Sequence, residues 1–198
     1  MTSEAAYEYA RDVIKGRWPE GEKIILSDPY WSYQYARYVI KGRWPQAEVP
    51  NRANAFWAYE YARDIMKKRF RSGEPIIMSD PEWSCYYARD VVRGRWQEGE
   101  KIIKTSPKWI YRYAHEVIKG RWREGEAIIK NNPYWAGMYA DNVVKGRWPE
   151  GEAAIKTRPD TALWYAQYVV KGRWLEGEAA IKTDSYYYNE YRRTVPKK

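Results

Sequence analysis

The sequence predicts an all-α protein, an α-solenoid of seven 26-residue helix-turn-helix repeats plus a C-terminal half-repeat. Two landmarks that keep one beat carry this expectation. Tyr-Ala recurs at Tyr9, Tyr35, Tyr61, Tyr87, Tyr113, Tyr139 and Tyr165, and Tyr191 falls on the next beat. Gly-Arg-Trp recurs at Gly16, Gly42, Gly94, Gly120, Gly146 and Gly172, with Lys68-Arg69-Phe70 in the remaining place. A fixed period of this size denotes stacked supersecondary units rather than one closed core. Period-2 strand patterns are lacking.

Residues 28–53 serve as the reference unit. Asp28-Pro29 reads as an N-cap with proline at the first helical position. From there Trp31, Tyr35, Ala36, Val39 and Ile40 sweep one apolar arc at helical spacing. This helix A is expected to stop at Gly42, as a C-terminal glycine does. Arg43-Trp44-Pro45 then opens a shorter helix B, whose apolar pair is clearer elsewhere, as Ile24-Ile25 or Ile76-Ile77. Thr2 takes the cap position of the first helix A, and Asp184 to Val195 supply a terminal helix A with Tyr186, Tyr187, Tyr188 and Tyr191. The reading is one array over 1–195, with a frayed tail at 196–198. Residues 49–55 break the pattern: Pro50 removes an amide donor and the paired isoleucines are lost, so helix B there should be distorted. Two readings stand for this stretch, drift and a functional irregularity.

Composition bounds the function. The 198 residues carry a formal net charge of +9, which favours acidic partners. No apolar run is long enough to span a membrane, and the N-terminus does not resemble a secretory signal. The lone Cys85 stands where Tyr33, Tyr59 and Tyr111 stand in other units, and reads as packing in a reducing cytoplasm. His115 is the only histidine, so no metal-ligand spacing arises. No phosphate-cradling glycine loop or nucleophile constellation is present. These absences point away from an enzyme, and no cofactor or metal is expected.

Three sets of residues remain as candidates. Arg17, Arg43, Arg69, Arg95, Arg121, Arg147 and Arg173 each precede a glutamate by five residues, from Glu22 to Glu178, and read as forked structural pairs. Lys15, Lys41, Lys67, Arg93, Lys119, Lys145 and Lys171 form a cation ladder near the end of each helix A, joined by Arg11. The two readings of it are a charge complementing the helix dipole and a track for a polyanion such as nucleic acid. The outward arc of helix A varies between units while the buried arc stays constant. It offers Tyr30, Arg37, Phe56, Arg63, Tyr86, Arg89, Arg112, Met138 and Trp164 as contacts to a protein partner. The opposing reading is that these side chains tilt into the next unit.

Residues 9–22, Tyr-Ala-Arg-Asp-Val-Ile-Lys-Gly-Arg-Trp-Pro-Glu-Gly-Glu, resemble a helical repeat of predicted tailed-bacteriophage proteins, and the resemblance covers essentially the whole chain. It implies a viral protein working in a bacterial host cytoplasm, with a counter-defence role among the expectations. No residue role comes with it. The expected function is binding of an acidic host protein through the A helices. The alternatives are nucleic acid along the ladder and sequestration of a small anionic ligand such as a nucleotide signal.

Overall fold

The structure is a computed structural model, and it describes residues 1–195; the tail at 196–198 lies outside them. Among the described residues all regular structure is helical. The chain divides into two compact units, with the boundary between Ile103 and Lys104. Unit 1 holds the repeats that begin at Thr2, Asp28, Asn54 and Asp80. Unit 2 holds those that begin at Ser106, Asn132 and Arg158, and the half-repeat from Asp184. Within each unit the helices A of successive repeats pack side by side, and each helix B packs on its own helix A. The expected 26-residue helix-turn-helix solenoid repeat is therefore what the chain forms.

Helix A starts as the sequence indicates. Asp28, Asn54, Asp80, Asn132 and Asp184 each accept a backbone N–H of the first turn, and Thr2 does so for Ala5. Its second half is not α-helical. In the reference unit Pro29–Tyr35 is α-helix and Ala36–Ile40 is π-helix, and the same switch at Tyr-Ala occurs in all seven repeats. The alanine of the pair is fully buried each time. Its carbonyl accepts two bonds across the widened turn: Gly42 N–H reaches Ala36 O at 3.1 Å and Gly146 N–H reaches Ala140 O at 3.1 Å, with the preceding lysine N–H on the same oxygen.

That ending corrects one expectation. The left-handed residue that stops helix A is the cation one place before the glycine, or before Lys68 in the third repeat, with φ from 52° at Lys67 to 60° at Lys145, and no glycine has positive φ. The glycines that the fold requires lie in helix B instead. A Cβ on Gly125 would stand 2.7 Å from Trp122 Cε3 and 2.6 Å from Ile110 Cγ2, and one on Gly21, Gly73, Gly99, Gly151 or Gly177 would overlap the aromatic ring three residues before it.

The reference unit shows what happens without that glycine. Ala47 occupies the position, and Pro45–Glu48 and Pro50–Arg52 are 3-10 turns where other repeats have an α-helical B. Ala47 carries a methyl at the position where the other repeats have a glycine against the aromatic ring, and Pro50 supplies no N–H. Asn51 replaces the buried isoleucine of Ile25 and Ile77; its amide donates to Ser32 Oγ at 3.0 Å and Ala47 O at 2.8 Å. The expected distortion is thus a change of helix type, set by three substitutions.

Candidate functional site

Five turns between helices A and B are closed by a clamp of three side chains. Arg147 bonds Glu152 through Nε and Nη2, both at 2.9 Å. Tyr165, from helix A of the next repeat, donates to Glu152 Oε1 at 2.9 Å and accepts the Trp148 N–H at 2.8 Å. Glu152 and Tyr165 are buried. The same set forms at Arg17–Glu22–Tyr35, Arg69–Glu74–Tyr87, Arg121–Glu126–Tyr139 and Arg173–Glu178–Tyr191. Where helix B is 3-10, Tyr61 donates to Trp44 O instead. The half-repeat completes the series, because Tyr191 closes the clamp of the seventh turn. Arginines also reach the next helix B, as Arg69 to Glu98 at 3.1 Å and Arg147 to Glu176 at 3.2 Å.

The clamp is scaffold, and it titrates. Burial alone would raise the Glu126 carboxyl, but the bonds from Arg121 and Tyr139 outweigh it and hold it below the ordinary range. Arg173, with Lys182 and Tyr191, draws Glu178 down to about 2 against its burial. A carboxyl depressed in the folded state stabilises above its unfolded pKa and loses that contribution as pH falls through the folded one. The melting temperature should therefore drop between about pH 4.5 and pH 2. Glu178→Gln should melt lower at neutral pH and show a shallower acid limb. Thermal melts across that range check this, and an acid limb of unchanged slope would remove Glu178 from the account.

The outward arc of helix A is partly consumed by packing. Tyr30 lies 5.7 Å from Trp57 and Phe56 lies 5.0 Å from Trp83, ring centre to ring centre, each against the following repeat. Tyr86 packs on Trp83 and Tyr59. Arg37 and Arg63 share Asp64, with Arg63 also on Glu60 at 2.8 Å. Arg11 pairs with Asp12, Arg89 with Asp90 and Arg112 with Glu116. Tyr59 and Tyr33 place their hydroxyls on Asp90 and Asp64, and burial with that neighbouring carboxylate pushes the Tyr59 phenol up to about 12. Met138 and Trp164 line a cavity in unit 2. Cys85 is buried.

The ladder differs from the arc. Lys15, Lys41, Lys67, Arg93, Lys119, Lys145 and Lys171 are all exposed. Among the described residues none of them is in an ion pair; Arg93 makes one weak bond, to the Asp90 carbonyl at 3.4 Å. All seven hold the left-handed conformation, so their backbones point the side chains off the end of each A helix at one repeated geometry. In unit 1 three of them, Lys41, Lys67 and Arg93, line a groove of about 670 Å³ together with Tyr38 and the arginine pair on Asp64. Arg37 and Arg63 of this wall are paired with Asp64, and among the described residues the three ladder cations are in no ion pair.

Sequence reasoning found the ladder and the Arg–Glu pairs. It missed the tyrosine hydroxyl of the clamp, whose only trace was a tyrosine that never becomes phenylalanine on its beat. It also assigned the left-handed turn to the wrong neighbour. Comparison with protein-family models, with curated proteins and with solved structures finds no match. Fold and site together define a class, a 26-residue helical-repeat protein with a basic ladder at the ends of its A helices.

Proposed function

We propose that this protein is a non-enzymatic binding protein that holds an acidic protein partner by the cations at the ends of its A helices. The observation that carries this reading is that a cation occupies each of the seven left-handed positions. A non-glycine residue there costs about 1–2 kcal/mol, and glycine is the residue that adopts it freely. A cation complementing an exposed helix C-terminus returns only about 0.3–1 kcal/mol, less in salt. The scaffold therefore carries a cost at these positions that a role in the scaffold does not recover. A role in recognition accounts for the charge, the exposure and the lack of counter-ions together.

The spacing favours protein over nucleic acid. Successive helix layers lie about 10 Å apart, which matches carboxylates seven residues apart on an α-helix, about 10.5 Å. A nucleic-acid strand carries a charge every ~3.4 Å of axis, so a ladder of this pitch would leave most phosphates unmet. Asp64 and Asp90 in the groove wall also oppose a continuous polyanion. The resemblance to phage repeats supplies the pool of candidates, the proteins of a bacterial host.

The test uses a helical peptide with glutamates at seven-residue spacing and, in parallel, single- and double-stranded oligonucleotides, read by fluorescence anisotropy. The peptide should bind, and Lys41→Glu with Lys67→Glu and Arg93→Glu should reduce its affinity at least tenfold while melting temperature holds. Preferential binding of the oligonucleotides with a steep salt slope would replace the protein partner by nucleic acid. A second expectation separates site from scaffold. Lys67→Gly should leave stability unchanged or raise it by up to about 1 kcal/mol and weaken the peptide. A fall in stability without change in binding would return the ladder to the scaffold.

A further inference from the structure

A second site, in unit 2, follows from a gap in the aromatic packing between A helices. At four joints a tyrosine of one repeat faces the tryptophan of the next. Tyr7 meets Trp31 at 5.3 Å, Tyr33 meets Trp57 at 5.6 Å, Tyr59 meets Trp83 at 5.5 Å and Tyr111 meets Trp135 at 5.6 Å. At one joint both rings are gone, because Gly137 stands in the tyrosine place and Thr161 in the tryptophan place. Trp164 leans over Gly137, its Cζ3 3.4 Å from where a Cβ would be, and fills part of the tyrosine's space. The indole's place stays open as a cavity of about 250 Å³ lined by Tyr134, Gly137, Met138, Asp160, Thr161 and Trp164.

The lining keeps the form of the missing ring. Tyr30 and Phe56 pack on the tryptophan of the following repeat; Tyr134, their counterpart, meets Trp135 of its own repeat at 4.8 Å but has no tryptophan in the following repeat to pack on, and it is 53% exposed against 41% for Tyr30. The polar groups around the cavity are already engaged. Thr161 donates its hydroxyl to Ile155 O at 2.8 Å, and Asp160 is paired with Arg158 at 2.6 Å. What remains is apolar and aromatic. An apolar cavity of about 150 Å³ holds benzene, so this one suits a two-ring aromatic.

We propose that the cavity between Tyr134 and Trp164 is a binding site for an aromatic side chain, preferably tryptophan, presented by the protein partner. The choice of a protein as the source rests on the function proposed above; the ring site itself rests only on the missing rung. The inserted indole takes the place that Trp135 and Trp57 take at intact joints, packed on Tyr134 as Trp57 is on Tyr30. An aromatic anchor in a preformed pocket is the usual form of an interface hot spot.

The experiment titrates indole, with cyclohexanol as the non-aromatic control, into the full chain and follows binding by NMR. A Glu-rich peptide carrying one tryptophan, and the same peptide with leucine there, form the second arm. Indole should bind saturably and more tightly than cyclohexanol. Gly137→Tyr with Thr161→Trp, which restores both rings of the joint seen at Tyr111–Trp135, should weaken indole at least tenfold. If that pair does not fold, Thr161→Trp alone serves the same comparison. The tryptophan peptide should displace indole, and the leucine peptide should bind about tenfold more weakly. Equal indole binding by wild type and refilled protein overturns the site. Indole binding without displacement by the tryptophan peptide overturns the protein source and points to a free aromatic molecule. Lys41→Glu with Lys67→Glu and Arg93→Glu leaves indole binding intact, so failure of the ladder and failure of the ring site are read separately.

Discussion

Gly125→Ala is expected to destabilise the protein by about 1–3 kcal/mol, the usual cost of overpacking a filled core, whereas Gly120→Ala, five residues earlier, is expected to be neutral or slightly stabilising. The added methyl at Gly125 meets Trp122 at 2.7 Å and Ile110 at 2.6 Å. Trp122 is 1% exposed and its ring is held against Tyr113 at 4.8 Å, so it has nowhere to retreat. At Gly120 the same methyl meets no atom within 4 Å, and the residue does not have positive φ. Alanine there restricts the unfolded chain and gains up to about 0.4–1 kcal/mol. For a chain of this length each kcal/mol moves the melting temperature by about 2–4 °C. Thermal melts of the two variants decide the matter, and equal effects would contradict the assignment of the left-handed residue to Lys119.

Arg147→Ala carries the second large effect. It strips both guanidinium bonds from Glu152, a carboxylate 9% exposed. Leaving a buried charged acceptor short of partners costs about 1–3 kcal/mol or more. Tyr165→Phe attacks the same clamp from the next repeat and strands the Trp148 N–H as well. The two changes share Glu152, so the double variant should fall short of the sum of the singles by at least about 0.5 kcal/mol. Denaturant melts of the four proteins measure that coupling. Strict additivity would mean that arginine and tyrosine act separately and that the clamp is not one network. The tyrosine is the member that ties one repeat to the next, so Tyr165→Phe should also lower protection of Trp148 N–H from exchange with solvent.

Much of this was legible in the residues because a repeat reports its own constraints. Seven copies of one unit expose which positions admit only one residue, and the invariant Arg and Glu five apart could be read as a pair before any coordinates. The proline and Asx caps located the starts of helix A. Pro50 and the lost isoleucines located the irregular turn, and the structure shows its form. The polar role of the clamp tyrosine was hidden, since Tyr35 sits in an apolar arc where the ring alone explains it.

The sequence by itself determined the period, the helical class, the helix starts and the identity of the cation ladder, because these follow from spacing and local propensity. Only the tertiary structure decided the rest. The π-helical ending puts the left-handed residue one place before the glycine, a choice that depends on where the buried alanine carbonyl finds its two donors. Which glycines are obligatory depends on where the tryptophan ring folds back, a contact between residues whose spacing carries no hydrophobic signal. Likewise the outward arc divides into paired arginines, stacked rings and free cations only once neighbouring helices are in place. A partner across the next repeat decides that division, and no residue announces its cross-repeat partner within its own 26.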